Sequence, residues 1–316
     1  MDFLAITGPT TSGKTGLSME VARTLDTEIV CMDSRQVYRG MDIGTDKASR
    51  EIRGRVPHHG LDTRDPNETY SAGQFGRDAR VWISEISARG CVPLVVGGTG
   101  FFLRALTDPM FRQPDMEGDR LEALRRYLTT LPREELERWV GELDPGRAAI
   151  AAEGGPHRLG RTLEVALLTG RPLSGWHEQG VPDQEPLKGV IVVLEMPREE
   201  LDRRIDARVT RMAEGGLVVE VERLLEQGYG PDDPGMTGTG YREVAAYLTG
   251  ETSLEEALDR MRSVTRKYAR KQLTWFRHQV PDDVVRIDAL QPVANQAARV
   301  VEAWRLAAVS ERAVEA

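Results

Sequence analysis

At 316 residues and 40% apolar content, the chain is long enough for one large core with an elaboration, or for two domains. No apolar run approaches membrane-spanning length, and Asp2 with no basic region ahead of a hydrophobic stretch argues against a signal peptide, so a cytoplasmic protein is expected. The formal charge of −8 argues against indiscriminate nucleic-acid binding, because phosphate affinity grows with the number of cations presented.

In chain order, the apolar segment Phe3-Leu4-Ala5-Ile6 reads as a strand, and a helical pattern runs through Leu17, Val21 and Leu25. Between them stands Gly8-Pro9-Thr10-Thr11-Ser12-Gly13-Lys14-Thr15, a P-loop in strand-to-helix context. Successive backbone N–H groups on such a loop point into one concavity at a helix N-terminus; Lys14 adds a point charge, and the Thr15 hydroxyl can sit on Mg²⁺. The loop holds a nucleotide or another polyphosphate and does not say which. Glu28-Ile29-Val30-Cys31-Met32-Asp33 is a second strand, ending in a carboxylate at the edge where open α/β sheets bind ligands. Asp33 could hold Mg²⁺, meet an acceptor hydroxyl, act as a general base, or simply cap a turn. A third strand, Val92 to Val96, leads into Gly97-Gly98-Thr99-Gly100, which offers backbone and a hydroxyl where a motor-type ATPase would carry a carboxylate. No Asn-Lys-x-Asp motif is present, which argues against a GTPase.

The pattern predicts an α/β fold: a P-loop parallel sheet core from residues 1–112 and 187–316, with a small helical insertion at 113–186. Gln113-Pro114 and Gly180-Val181-Pro182-Asp183 bracket the insertion, and Gly189 to Leu194 returns the chain to the sheet as a buried strand. Helices are expected at Pro197–Gln227, Thr239–Leu248, Ser253–Gln279 and Val293–Ala308, with only the last residues disordered. Cys31 and Cys91 read as reduced core thiols, and His58 and His59 as core or turn residues, since no further ligands complete a metal site. From Arg260 to Val280 there is no acidic residue, and Arg262, Arg266 and Arg270 form one stripe with Tyr268, Trp275 and Phe276 interleaved; it is either a solvated face or a phosphate-backbone contact.

The stretches Asp33-Ser34-Arg35-Gln36-Val37-Tyr38-Arg39-Gly40-Met41-Asp42-Ile43-Gly44-Thr45, Pro57-His58-His59-Gly60-Leu61-Asp62, Asp65-Pro66-Asn67-Glu68-Thr69-Tyr70-Ser71 and Gly97-Gly98-Thr99-Gly100 together resemble the tRNA dimethylallyltransferase (isopentenyltransferase) family. The likeness continues in order through His157-Arg158-Leu159-Gly160-Arg161 and Thr239-Gly240-Tyr241-Arg242 to the basic helix. It implies transfer of a dimethylallyl group from dimethylallyl diphosphate to the exocyclic amine of the adenosine 3′ of the anticodon, with Mg²⁺, by a monomer. The same resemblance makes Asp33 the general base, puts Thr99 beside acceptor or diphosphate, and assigns Lys14, Thr15, Arg208 and the Gly8–Thr15 amides to the leaving diphosphate. Ser34, Arg35 and Gln36 would hold an extruded base, and Arg120, His157 to Arg161 and Thr239 to Arg242 would grip the anticodon stem-loop, with Tyr241 and Arg242 stacking on loop bases. Where the family commonly carries an aromatic hydroxyl, this chain has Phe101-Phe102-Leu103, an apolar lining. An adenylate isopentenyltransferase, a small-metabolite kinase and an RNA-binding protein on a degenerate nucleotide fold are the alternatives. The helical insertion and basic helix disfavour the first, a kinase would need ATP turnover, and intact Lys14, Thr15 and Asp33 disfavour the last.

Overall fold

The computed structural model describes residues 1–108, 114, 116–179 and 184–315. Two compact units divide the chain: Met1–Asp108 with Pro186–Ala316, and Pro109–Glu185. Of the expected brackets of the insertion, Gln113 and Gly180 to Asp183 lie outside the described residues.

The first unit is a parallel sheet with helices on both faces. Its strands are β1 (Phe3–Thr7), β2 (Thr27–Cys31), β3 (His58–His59), β4 (Val92–Gly97), β5 (Gly189–Glu195) and β6 (Val285–Asp288), in the spatial order β3-β2-β4-β1-β5-β6. The helices between them are α1 (Lys14–Val21), α2 (Arg50–Arg55), α3 (Ala72–Ala88) and α4 (Gly100–Thr107). The central strands are apolar without interruption because both faces are covered. Side chains alternate across the pleat: Leu4 and Ile6 pack with Leu17 and Val21 of α1, while Phe3 and Ala5 pack with Phe75, Ala79, Phe102 and Leu106 of α3 and α4. Each fully buried side chain of this kind contributes about 1.5–3 kcal/mol from apolar area removed from water. β3 and β6 carry little sequence signal, being two and four residues long at the sheet edges.

The second unit is helical: α5 (Gly118–Thr130), α6 (Arg133–Leu143), α7 (Ala148–Glu153), α8 (Pro156–Thr169) and α9 (Leu173–Gln179). Its own small core gathers Leu128, Leu136, Val140, Ala151, Leu159 and Leu163.

Back in the first unit, the helix expected over Pro197–Gln227 is two, α10 (Arg198–Glu214) and α11 (Leu217–Glu226). Gly215-Gly216 breaks it, Gly216 at φ 100° entering the left-handed region. There follow α12 (Tyr241–Leu248), α13 (Leu254–His278), opened by a Ser253/Glu256 capping box, and α14 (Val293–Glu315), which runs past the expected end at Ala308. No described helix is long and apolar enough to cross a membrane.

Candidate active site

Register decides which loops meet. Thr7 of β1 is level with Gly97 of β4, and Val96 of β4 is level with Cys31 of β2. The adjacent order β2-β4-β1 therefore sets Asp33, Thr99 and the P-loop side by side at the carboxyl edge, with Thr99 between the other two. Gly97 permits this crowding: a Cβ there would stand 1.9 Å from the Met32 carbonyl oxygen. The Thr99 hydroxyl accepts from the Ser34 N–H at 3.3 Å.

The P-loop is bent by residues in the left-handed region, Gly8 (φ 144°), Thr11 (φ 62°) and Gly13 (φ 96°), the last capping α1. A Cβ on Gly8 would meet the Leu194 carbonyl oxygen at 2.8 Å. The Thr11 and Ser12 hydroxyl oxygens are buried without a hydrogen-bond partner among the described residues, as groups awaiting an anion would be. Lys14 Nζ donates to the carbonyls of Gly8 (3.0 Å) and Pro9 (2.7 Å). Burial pushes its ammonium down to about 8, against the pull of Asp33.

Arg208 reaches the loop from α10. Its guanidinium donates to the Thr10 hydroxyl at 2.6 Å and to the Thr45 carbonyl at 3.3 Å, and stands 3.6 Å from the Asp46 carboxylate. It is thus a half-buried part of the loop's surroundings rather than a surface helix charge. A cavity of about 460 Å³ opens over this group, lined by Thr10, Thr15, Lys14 and Asp33 and by the arginines 203, 204, 208 and 211 of α10. Lys14, Arg208 and Arg211 stand with the carboxylates of Asp33 and Asp46, while Arg203 and Arg204 also pair with Glu200; the result is a cation-rich bowl suited to a diphosphate.

Asp33 caps its own turn and also faces the cavity. Its Oδ1 accepts from the N–H groups of Arg35 (2.8 Å) and Gln36 (3.4 Å), so capping does not take the residue out of the cavity lining. A second cavity of about 210 Å³ adjoins, lined by Asp33, Ser34, Arg35, Thr239 and Tyr241 with an apolar wall of Val209, Met212 and Met261. Gln36 Nε2 is held by the carbonyls of Thr45 (3.1 Å) and Asp46 (3.3 Å).

Several expected contacts are otherwise engaged. The Tyr241 ring is fully buried, pressed where a Cβ on Gly44 would sit at 2.5 Å, and its hydroxyl donates to Glu220 at 2.6 Å, so it cannot stack on a loop base. The Arg35 guanidinium donates to the Pro234 carbonyl (2.6 Å) and the Thr237 hydroxyl (3.3 Å), tying the loop after β2 to the turn before α12. Leu159 is core, not surface. The stripe of Arg262, Arg266 and Arg270 lies on α10: Arg266 pairs with Asp206, Arg270 with Asp202 (3.4 Å), and Arg262 reaches Thr210 (3.4 Å) while paired with Asp259. Each of these three guanidiniums has an acidic partner within the protein, as on a salt-bridged face.

Arg242 and Gly240 stand at the start of α12, Arg242 exposed. In the helical unit, Arg120, His157 and Arg158 are exposed, Gly160 has open space where a Cβ would be, and Arg161 pairs with Glu164 at 3.1 Å. His58 bonds the Val56 carbonyl and His59 bonds Glu28, as structural histidines do. Cys31 is buried and Cys91 half-buried, both free thiols.

Among the described residues no group of three or more His, Cys, Asp or Glu could hold a metal unaided. Thr15, Asp33 and Asp46 line one cavity, and this sparse set fits Mg²⁺, which commonly takes one or two carboxylates, with phosphate oxygens and water completing its shell.

Four contributors escaped sequence reasoning. Arg204 and Arg211 share a face with Arg208 at helical spacing, a periodicity that could have marked them. Gln272 of α13 accepts from the Thr10 N–H (2.9 Å) and donates to the Gly98 carbonyl (2.7 Å), joining the P-loop to the turn after β4. Glu220 accepts from the N–H groups of Asp42 (2.9 Å), Ile43 (2.8 Å) and Gly44 (3.0 Å). No local pattern distinguishes either residue.

A family model described as IPP transferase matches residues 36–279. A tRNA dimethylallyltransferase of Thermomicrobium roseum is 46% identical over 275 residues, 87% of this chain and 83% of that protein. Among solved structures, the tRNA isopentenylpyrophosphate transferase of Bacillus halodurans aligns with a TM-score of 0.70 at 33% identity, over 98% of this chain and 99% of that one. A eukaryotic dimethylallyltransferase acting on tRNA aligns with a TM-score of 0.77 at 27% identity, over 91% of this chain and 73% of that one. The chain belongs to the IPP transferase family.

Proposed function

We propose that the chain transfers a dimethylallyl group from dimethylallyl diphosphate to the exocyclic amine of the adenosine 3′ of the anticodon in tRNA. The observation that carries this reading is a cationic phosphate cavity sharing Asp33 with a second, partly apolar cavity. A P-loop kinase sends a phosphoryl group onward; here the bound diphosphate is the leaving group.

The diphosphate occupies the larger cavity, where the loop amides, Lys14 and Arg208 face the oxygen that gains charge as the allylic C–O bond breaks. Donors fixed at that oxygen stabilise the transition state more than the ground state. A Mg²⁺ held at Thr15 would neutralise further diphosphate charge. The adenine edge enters the smaller cavity beside Ser34 and Arg35, which requires the base to leave its stack. Asp33 orients the exocyclic N–H and takes its proton as the N–C bond forms. Thr99, bonded to the Ser34 N–H, keeps the acceptor wall beside the P-loop. Arg120, His157, Arg158, Gly160 and Arg161 of the helical unit are assigned to tRNA binding, as are Thr239 and Arg242 of the sheet unit, Gly240 being buried, and the enzyme acts as a monomer.

Purified protein with Mg²⁺, labelled dimethylallyl diphosphate and either unmodified tRNA or AMP, without ATP, tests the reading. Label at the adenosine beside the anticodon is expected; label in AMP alone, or in neither, overturns it.

A further inference from the structure

Tyr268 of α13 has no task in these steps, yet it stands where they happen. Five residues line both cavities: Thr10, Asp33, Thr45, Arg208 and Tyr268. They mark the junction through which a group passing from the diphosphate to an acceptor must travel. Tyr268 is the only aromatic ring among them. Beside it in the larger cavity stands Gln272, pinned between the Thr10 N–H and the Gly98 carbonyl. The residue lines both cavities and remains 43% exposed. Burial and the Asp33 charge push the phenol up to about 12, so it stays neutral at working pH.

Loss of diphosphate from an allylic carbon spreads positive charge over the two ends of the allyl group. A group lying flat against those carbons has to attract positive charge without aiming a lone pair at them. An aromatic face attracts the charge through its quadrupole, holds off water, and offers no lone pair.

We infer that Tyr268 is a further catalytic residue of this reaction, its ring face covering the allylic carbons and stabilising their developing positive charge. The inference rests on the prenyl-transfer reading above. The C–O electron pair leaves with the diphosphate, the amine lone pair forms the N–C bond, and the proton passes to Asp33; Tyr268 exchanges neither atom nor electron.

The test replaces Tyr268 by Phe, by mono-, di- and trifluorinated phenylalanine, and by Leu, the fluorinated rings keeping size while draining the quadrupole. Single-turnover transfer to unmodified tRNA is compared with binding of the unreactive thiolodiphosphate analogue. The logarithm of the rate is expected to fall steadily with fluorine number, reaching about tenfold below the Phe variant, with Leu about 10- to 30-fold below it. Analogue binding should move less than about threefold, because the ground state carries no allylic charge. A flat fluorine series, or rate losses matched by analogue binding, overturns the catalytic assignment while leaving prenyl transfer intact. Absence of transfer by the unaltered chain overturns both.

Discussion

Arg208 and Arg158 are the same residue type on helices of the two units, and they are held in opposite ways. Arg208 has a side chain only 16% exposed, bonded to Thr10 and Thr45 and facing Asp46, groups brought together from distant parts of the chain. Arg158 is exposed, its guanidinium donating to the Ile150 carbonyl at 3.2 Å. A cation fixed before substrate arrives acts on a developing charge without reorganising, whereas an exposed cation contributes a screened, salt-dependent attraction. The fixed cation beside the P-loop should therefore carry rate, and the exposed cations, Arg158 and Arg242 among them, affinity for RNA.

The largest effect should come from the acceptor side. Asp33→Ala is expected to lower kcat by about 10²- to 10⁴-fold with little change in the Kd for tRNA; equal loss in Kd would dissolve the division between rate and affinity. Arg208→Ala should lower kcat by about 10²-fold, measured at saturating dimethylallyl diphosphate. A change confined to KM would place Arg208 with the affinity residues.

Glu220→Gln probes how the cavity wall is kept. Its carboxylate takes three backbone N–H groups and the Tyr241 hydroxyl; an amide there presents donors against donors. A loss of about 1–3 kcal/mol is expected, read as a shift of the denaturant midpoint. An unchanged midpoint would mean that the wall containing Thr45 stands without it.

Lys14 sharpens the same division through pH. Its folded-state value of about 8 means that the ammonium is charged below pH 8 and neutral above it. Since the charged form attracts the diphosphate, kcat/KM should fall with rising pH above 8, by about tenfold per unit. Lys14→Arg should remove that limb, the guanidinium remaining protonated throughout. A limb that persists in the Arg variant belongs to another group.

The cavity floor was legible in the sequence because its parts are local: the P-loop, the strand-end Asp33 and the Gly97-Gly98-Thr99 turn each announce themselves within a dozen residues. What the sequence withheld depends on side-chain burial and pairing between distant elements. Tyr241 and Arg242 read alike as RNA contacts, yet burial against Gly44 takes one and leaves the other exposed. The basic stripe of α13 looked free because its acidic partners, Asp202 and Asp206, lie some sixty residues earlier on α10. Gln272 shows the converse: a neutral side chain on a basic helix becomes a link between two phosphate-side turns only once the fold is closed.

Arg158 gives the smallest effect and the cleanest separation. Alanine there removes one exposed cation and leaves α8 its core face through Leu159 and Leu163, so the helical unit should remain folded. The Kd for tRNA is expected to rise about three- to fivefold. The slope of log Kd against log salt should fall by about one, since one phosphate contact releases one counterion equivalent. Filter binding between low and moderate salt measures both. A weaker Kd with an unchanged slope would mean that Arg158 acts through the fold of its helix rather than on phosphate, and the role of an exposed steering cation would pass to Arg120 or Arg242.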